Sequence, residues 1–270
     1  MHKEILKSLP FFVFNHLHSH KELYHAVTTR AGGISPSLYA SLNLGINTDD
    51  KPENIISNHH IVSKALNFNL SFLISSTQAH KDRILCLKEK PVHKESKIPG
   101  ICYEGFDSII TDQAGITIMI RIADCVPIIL YSPVSKVISV VHAGWKGTLS
   151  EITIKTIQQM EKEFGCSPTD IKAGIGPAIG KCCFSVDSEV ANKFTRKLER
   201  SEYFVKQTNS SSYIDLKEAN KIQMILSGLK EENIETSGIC TSCSSDVFFS
   251  HRREKGRTGR FALFAGLHSS

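Results

Sequence analysis

The chain has 270 residues, 41% hydrophobic and 22% charged, which is ordinary for a globular protein that buries a core without disulfide cross-links. Its formal net charge of +5 is spread out, and the one dense basic run, residues 251–260, is too short for a nucleic-acid surface. The apolar run Cys125–Tyr131 is far too short to span a membrane, and Phe11–Phe14 is too short for a signal-peptide core. We therefore expect a cytoplasmic protein with mostly reduced cysteines that binds neither nucleic acid nor membranes.

The first part of the sequence predicts strands around one clear helix. Residues 24–30 have a strand pattern that ends at the loop signal Ala31-Gly32-Gly33. Pro52 suits the first position of a helix that extends to about Leu66, because apolar residues recur there at helical spacing. Two strand-like segments and a charged surface loop follow: Phe72–Thr77, Arg83–Leu87 and Lys88–Gly100.

The middle of the chain is its most apolar part. Largely β-branched runs separated by short turns predict buried strands at 108–111, 116–122, 127–131 and 136–141. Further strands are predicted at 171–175 and 261–267, and helices at 148–164, 186–198 and 216–229. Because several strands follow one another without a helix between them, this order favours an α+β fold. We predict one domain over residues 1–270, with roughly the first 20 residues peripheral.

Three predicted strand ends each carry a ligand suited to a transition metal. They are His80, Cys125 and His142. Imidazole and thiolate together suit Zn²⁺ or copper, and three protein ligands leave a fourth position open for water or substrate. The alternative is an ordinary buried cysteine with two hydrogen-bonded histidines, because the ligands lack the short local spacing of zinc fingers.

Several short strings resemble a known family. The most specific is residues 141–147, Val-His-Ala-Gly-Trp-Lys-Gly. Together with residues 123–127 and 175–183 it resembles the YfiH/laccase-domain family, formerly called polyphenol oxidases and later described as purine nucleoside phosphorylases. Further matching strings lie at 28–33, 41–45, 78–80, 250–253 and 258–260, so the resemblance spans about residues 24–267 in order.

The resemblance implies a four-layer α/β/β/α sandwich with a metal site formed by His80, Cys125 and His142. It also implies phosphorolysis of adenosine, inosine or methylthioadenosine to a free base and a sugar 1-phosphate, and hydrolytic deamination of adenosine in some members. The expected cofactor is Zn²⁺, with copper as the alternative. Three positions depart from the usual family residues without removing a ligand: Lys81 for Gly, Lys146 for Arg and Ser185 for an acidic residue.

Polar residues around these motifs are candidate catalytic or binding groups. Asp124 is predicted to be a general base or to orient a metal-bound histidine, with a surface carboxylate as the alternative. Arg30 is predicted to contact an anion or the substrate. Asn43 lies in a predicted turn, which it caps unless it hydrogen-bonds a base or sugar. Arg252, Arg253 and Arg260 flank a Thr-Gly turn and either hold phosphate or form a solvated loop.

Four cysteines near the C-terminal half have no clear role in the sequence: Cys182, Cys183, Cys240 and Cys243. The Cys-x-x-Cys spacing of the last two is compatible with a second zinc site. Because an adjacent Cys-Cys pair is poor ligand geometry, we interpret all four as small buried residues.

The leading hypothesis is a metal-dependent purine nucleoside phosphorylase, with adenosine deamination as a further activity. Its partners would be a purine nucleoside and phosphate, and we expect a monomer or a weak homodimer. One alternative is a copper-dependent polyphenol oxidase, although a single three-ligand site argues against four-electron oxygen reduction. The others are a cysteine hydrolase with Cys125 as nucleophile and His142 as base, and a non-catalytic metal- or nucleoside-binding protein.

Overall fold

Two large sheets packed face to face form the centre of the molecule. The computed structural model describes residues 1–92, 99–208 and 211–268, so the predicted loop Lys88–Gly100 lies partly outside them. Strands are numbered β1–β16 in chain order within these residues. The seven-stranded sheet has the spatial order β1 (His2–Leu6), β2 (Leu9–Val13), β3 (Leu23–Thr28), β16 (Phe261–Leu267), β8 (Thr117–Ile122), β4 (Leu73–Ser76) and β6 (Ile101–Tyr103).

The second sheet has six strands. Its order is β15 (Ile234–Thr236), β11 (Lys172–Ile175), β9 (Val126–Ser132), β10 (Val137–Ala143), β7 (Ser108–Thr111) and β5 (Ile84–Leu87). A small third sheet contains β12 (Ser185–Val186), β14 (Ser212–Ile214) and β13 (Val205–Gln207). The helices are α1 (Asn15–His18), α2 (Pro52–Leu66), α3 (Trp145–Leu149), α4 (Ile152–Phe164), α5 (Ser188–Lys197) and α6 (Leu216–Leu226).

Alternating side chains divide the apolar interior into three layers of packing. On β9, Ile128 and Leu130 face α4 and α6, whereas Ile129 and Tyr131 face the other large sheet. On β8, Met119 joins α2 in a separate core on the outer face of the seven-stranded sheet. The order of layers is therefore helix, sheet, sheet, helix, which confirms the predicted α/β/β/α sandwich. No helix within the described ranges is long and apolar enough to cross a membrane.

Two helix predictions were wrong at their N-terminal ends. The predicted helix 148–164 is broken at Glu151, whose left-handed φ of 59° separates α3 from α4. The predicted helix 186–198 begins only at Ser188, because the Asp187 carboxylate accepts a hydrogen bond from the backbone N–H of Val190 (2.8 Å) and so caps it. Residues 185–186 instead form β12.

The prediction that the first 20 or so residues are peripheral was wrong for residues 9–17. Leu9, Phe11 and Val13 alternate along β2 with at most 2% exposure, and β2 pairs with β3. Phe14 and Leu17 are completely buried in the core between the two large sheets. The alternation in this segment is only five residues long, which makes it a weak strand signal.

One buried histidine ties this N-terminal segment to β3. The Nε2 atom of His25 accepts a hydrogen bond from the Phe14 backbone N–H (2.8 Å), and the two rings are stacked. Nε2 accepts only in the neutral ring. Burial, helped by the charges of His18 and His16, lowers the pKa of His25 to about 3.

We predict that His25 makes the fold acid-sensitive. The pKa of an unfolded histidine is about 6.5. Below pH 6.5 the unfolded chain binds more protons at this residue than the folded chain does. The contribution of His25 to the free energy of unfolding is therefore fully present above that pH and is lost progressively as the pH falls towards 3. By pH 5 the loss is about 2 kcal/mol from this group.

Urea unfolding measures the free energy of unfolding at pH 7 and at pH 5. The difference between the two values should be smaller in His25→Gln than in the wild type. In the control His60→Gln, at an exposed helix position, the difference should be unchanged. Equal pH dependence in the two variants would contradict the prediction.

Candidate metal centre and its cavity

Three side chains from both large sheets meet at one end of the sandwich. His80 follows β4 of the seven-stranded sheet, Cys125 directly precedes β9, and His142 lies on β10. Their ligand atoms all lie within 4.8 Å of one another, and the two imidazole rings meet edge to face with centroids 4.8 Å apart. This separation fits ligands that converge on one transition-metal ion.

The fully buried carboxylate of Asp107, just before β7, holds this arrangement. It accepts hydrogen bonds from the backbone N–H groups of Ala79, His80 and Lys81 at 2.8–3.1 Å. It also bonds Nδ1 of His142 at 2.9 Å, which leaves Nε2 of that ring for a metal. One carboxylate thus fixes the loop of the first histidine and the orientation of the second.

The charges at the centre reinforce one another. Burial opposes ionisation of Cys125, but the nearby charge of His142 and hydrogen bonds from both histidines lower the pKa of its thiol to about 6. Burial likewise disfavours charge on His142, yet Cys125 and Asp107 raise its pKa to about 9. Burial would also raise the pKa of Asp107, but its hydrogen bonds lower it. The donor set therefore supplies a thiolate, which is the form that binds a transition metal.

Two of the short motifs that resemble the family have local structural explanations. The Gln78 side chain accepts from the backbone N–H of Arg121 (2.8 Å) and donates to its carbonyl (2.9 Å), which fastens the loop of His80 to β8. At Gly144 a Cβ atom would lie 3.0 Å from Sγ of Cys125 and 3.4 Å from the His80 ring. A glycine after His142-Ala143 is therefore what lets the chain turn against the ligands.

Asp124 adjoins the centre but faces the C-terminal segment. Its carboxylate accepts hydrogen bonds from the hydroxyls of Thr241 (2.6 Å) and Ser250 (3.0 Å) and from the backbone N–H of Arg252 (2.6 Å). Its backbone has a left-handed φ of 86°. Among the described residues, the carboxylate that bonds a histidine ligand is that of Asp107. Asp124 therefore joins the β8–β9 connection to the segment that carries the arginines.

The three ligands open into a cavity of about 670 Å³. Trp145, Ile179 and Phe184 provide apolar walls, and the guanidinium groups of Arg121, Arg252 and Arg260 provide positive charge. The rest of the lining consists of Gly45, Ile46, Asn47, Ser76, Thr77, Gln78, Ala123, Asp124, Ser185, Val186, Asp187, Val190 and His251. Such a cavity, apolar with a few converging polar groups, is typical of small-molecule sites.

Arg121 is buried at the floor of this cavity. Its three guanidinium nitrogens donate to the carbonyls of Leu44 and Ser76 and to the Ser75 hydroxyl. No carboxylate pairs with it among the described residues, and burial lowers its pKa to about 10. It therefore contributes a buried positive charge to the cavity.

Arg252 and Arg260 reach the cavity from the C-terminal segment with part of their donor capacity in use. Nη1 of Arg252 donates to the carbonyls of Cys183 and Ser185 at 3.0–3.1 Å. Nη1 of Arg260 donates to the carbonyls of Thr258 (2.7 Å) and Gly259 (3.0 Å). The protein hydrogen bonds of both guanidinium groups, within the described part of the chain, are confined to Nη1. Their other nitrogens are therefore not used by those residues.

The other predicted binding residues do not line the cavity. Arg30 donates to the carbonyls of Ala40 and Ser245 and stacks over Phe249. Arg253 donates to three backbone carbonyls and to Glu254. The buried Asn43 accepts from the backbone N–H groups of Gly45 and Arg260, both at 2.9 Å. These three residues shape the loops that carry the lining residues.

The sequence patterns did not single out three residues that line or support the cavity: Asp107, Arg121 and His251. Asp107 follows a Gly-Phe pair before a strand, which is typical of a turn residue, and Arg121 lies inside an apolar strand pattern. The one available signal is a charged residue within or beside an otherwise buried strand, because such a charge needs a partner.

We predict that Asp107→Asn weakens metal binding. The amide can still accept from His142, but it cannot accept all four hydrogen bonds that the carboxylate accepts. Loss of such a carboxylate lowers metal affinity by about 10- to 100-fold. Competition with a chromogenic chelator measures the Zn²⁺ affinity, and Asp112→Asn, at an exposed position nearby, is the matched control. Equal affinities for the two variants, with unchanged circular dichroism, would refute the role given to Asp107.

Comparison with known proteins agrees with this architecture. The model of the family described as multi-copper polyphenol oxidoreductase laccase matches residues 24–268. A Bacillus subtilis protein named purine nucleoside phosphorylase YlmD is 33% identical over 250 residues, covering 92% of this chain and 90% of its own. A Bacteroides thetaiotaomicron protein named purine nucleoside phosphorylase is 33% identical over 266 residues, covering 98% of both chains.

A solved structure shows the same fold. The crystal structure of YlmD from Geobacillus stearothermophilus superposes with a TM-score of 0.87 at 32% identity, covering 92% of this chain and 93% of that one. The family match covers nearly all of the chain, and relatives above 30% identity cover most of it. The chain therefore belongs to the YfiH/laccase-domain family.

Proposed function

We propose that this protein is a metal-dependent purine nucleoside phosphorylase acting on adenosine, inosine or methylthioadenosine. The observation that supports it best is the convergence of His80, Cys125 and His142 on a cavity that also presents Arg252 and Arg260. The names of the relatives support the same reaction class. We further propose that it acts in the cytoplasm, because none of its eight cysteines, all of which lie among the described residues, forms a disulfide. We also propose that it is a monomer or a weak homodimer.

The donor set suits Zn²⁺, with copper as the alternative ion. His80, Cys125 and His142 would hold it, and a bound ion would act there as a Lewis acid on a ligand oxygen or nitrogen. Asp107 keeps Nε2 of His142 directed at the centre by accepting the hydrogen bond of Nδ1. Gly144 leaves room for the thiolate and the first imidazole. The residues therefore hold a rigid, partly open centre without help from a ligand.

Two arginines, Arg252 and Arg260, would bind the second substrate, phosphate. Phosphate carries two negative charges near neutral pH, and the planar guanidinium fork matches its oxygens. Arg260 lies close enough to Cys125 and Asp124 for their charges to act on it, which places it near the centre, and burial lowers its pKa. Arg252, anchored on Cys183 and Ser185, approaches from the other wall. Phosphate held by these groups would attack the sugar carbon that bears the base. The C–O bond of the sugar 1-phosphate forms as the C–N bond to the base breaks, and the base leaves with a proton.

The apolar walls of the cavity would bind the purine base. Trp145 and Phe184 present aromatic surfaces to the cavity, and flat heteroaromatic bases stack on such surfaces. A nucleoside bound there places its base and sugar between the metal centre and the arginines. Attack of water on C6 of the purine of adenosine, with the C–N bond to the amino group broken and ammonia released, would give inosine; we propose this deamination as a second activity.

The direct test is incubation of the purified protein with adenosine, with and without phosphate, followed by product separation. We expect adenine and ribose 1-phosphate only when phosphate is present. The variant His80→Ala should lower kcat/KM at least about 100-fold because it removes a metal ligand. The control His60→Ala, at an exposed position on α2, should behave as wild type.

Each other outcome of this test has a defined meaning. Inosine formed without phosphate indicates the deaminase activity. No base release under any condition, or equal turnover in wild type and His80→Ala, would refute the metal-dependent phosphorylase. Oxygen consumption with a phenolic substrate would instead indicate the polyphenol oxidase alternative.

We predict that Arg260→Ala raises the KM for phosphate more than the KM for adenosine. A charged hydrogen bond lost to an oxyanion corresponds to about a 10- to 100-fold weaker interaction. Steady-state kinetics with each substrate varied in turn measures the two constants. Arg257→Ala is the matched control, because Arg257 is exposed in the same basic run and does not line the cavity. Equal increases in both KM values would place Arg260 outside the phosphate site.

A second candidate function has one observation in its favour. Cys125, His142 and Asp107 are arranged as a thiol, an imidazole and a carboxylate, which is the order of a cysteine-hydrolase triad. Removal of the metal distinguishes the metal-dependent phosphorylase from the cysteine hydrolase. A chelator abolishes activity of a metal enzyme, whereas it exposes the Cys125 thiolate and increases the activity of a cysteine hydrolase.

A further inference from the structure

Four cysteine sulfurs meet at a second point, on the outer side of the wall that carries Phe184 and Arg252. They belong to Cys182, Cys183, Cys240 and Cys243, and all four sulfurs lie within 4.8 Å of one another. Cys182 and Cys243 are exposed and the other two are only half-buried, so the prediction that all four are small buried residues was wrong. We call these residues the four-cysteine cluster.

The sulfur separations match a tetrahedral metal site. A zinc–thiolate bond is about 2.3 Å long, so ligands at tetrahedral angles lie about 3.8 Å apart. The sulfur of Cys243 lies 3.7 Å from that of Cys182 and 3.4 Å from that of Cys183. The adjacent Cys-Cys pair, unfavourable in an extended chain, lies in a turn that directs both sulfurs to the same partner.

The backbone around the cluster is also arranged for a thiolate. The N–H of Gly180 donates to Sγ of Cys240 at 3.2 Å. A Cβ atom at Gly180 would lie 3.2 Å from the sulfur of Cys182 and from the Cβ of Cys240, so this position favours glycine. The two segments also meet in a parallel bridge between Ala178 and Cys240.

A buried cation lies beside the cluster. The Lys217 side chain is 7% exposed, and its Nζ donates to the carbonyls of Ser237 (2.8 Å) and Ile239 (3.0 Å), the latter in the residue before Cys240. No carboxylate pairs with this ammonium group among the described residues. Four thiolates around Zn²⁺ carry a net charge of −2, so a nearby buried ammonium group offsets part of that charge.

We propose that Cys182, Cys183, Cys240 and Cys243 bind one structural Zn²⁺ ion, separate from the three-ligand centre. Four protein ligands fill the tetrahedral shell and leave no position for substrate, which is the mark of a structural site. The ion would cross-link the loop after β11 to the segment after β15. Both segments support the cavity, because Arg252 bonds the carbonyl of Cys183 and Thr241 bonds Asp124.

The test uses the full-length protein with the three-ligand centre removed. His80→Ala/Cys125→Ser deletes two of its ligands, so any remaining zinc is bound elsewhere. We expect this variant to retain about one Zn²⁺ per chain by elemental analysis. X-ray absorption should show four sulfur neighbours at about 2.3 Å. A folded variant without zinc, or zinc with mainly nitrogen and oxygen neighbours, would overturn the proposal.

A second variant tests the ligands themselves. Cys182→Ser/Cys243→Ser changes only the two exposed members, so core packing is unaffected. In the background of His80→Ala/Cys125→Ser it should lose the remaining zinc, whereas Cys102→Ser, which alters a cysteine on β6, should keep it. Native mass spectrometry reads both results. Zinc retained after loss of both exposed cysteines, or an intact mass that shows these cysteines paired in disulfides, would contradict the proposal.

Discussion

The buried carboxylate of Asp107 is the group on which the rest of the centre depends. Its bonds to three consecutive backbone N–H groups determine the loop of His80, and its bond to Nδ1 determines the orientation of His142. A buried charge of this kind is tolerated only when its hydrogen-bonding capacity is filled. Here two of the four groups that fill it, the backbone N–H of His80 and the ring of His142, belong to the candidate metal ligands. The same hydrogen bonds of Asp107 therefore stabilise the fold and hold the residues of the site in place.

The cavity is completed by a segment far away in the sequence. Asp124, next to the ligand Cys125, holds Thr241, Ser250 and the backbone of Arg252. Arg252 in turn holds the loop that carries Phe184 and Ser185. The positive and aromatic sides of the cavity are thus connected to the metal centre through hydrogen bonds rather than through one secondary-structure element. Such a chain of contacts can pass a change at one wall to the other.

Regular elements with long periodic patterns could be predicted from sequence, and short ones could not. The helix α2 has apolar residues at helical spacing, and the strands β8 to β10 are β-branched apolar runs bounded by turns. In contrast, β12 to β14 contain two or three residues each. The three candidate metal ligands could be proposed from sequence because each lies in a short motif that resembles the family, and the structure brings their ligand atoms to within 4.8 Å of one another. Asp107 was not, because the sequence does not show which N–H groups a turn aspartate faces. For the same reason Arg30 and Arg253 resembled anion ligands, although the fold directs their donors to backbone carbonyls. Whether the donors of an arginine are already in use is a property of tertiary structure.

The connection between β8 and β9 has three residues, Ala123, Asp124 and Cys125, and it carries the chain from one large sheet to the other. Fully extended, such a connection spans roughly 10–14 Å, and packed sheets lie about 10 Å apart. The link is therefore short, although it bends at the left-handed Asp124. Shear of one sheet past the other, or an inserted residue, would move the Cys125 sulfur relative to the two imidazoles, because Cys125 is the last residue of the link. Length variation among natural or engineered relatives should thus be absent from this link, even where loops elsewhere in the chain differ in length.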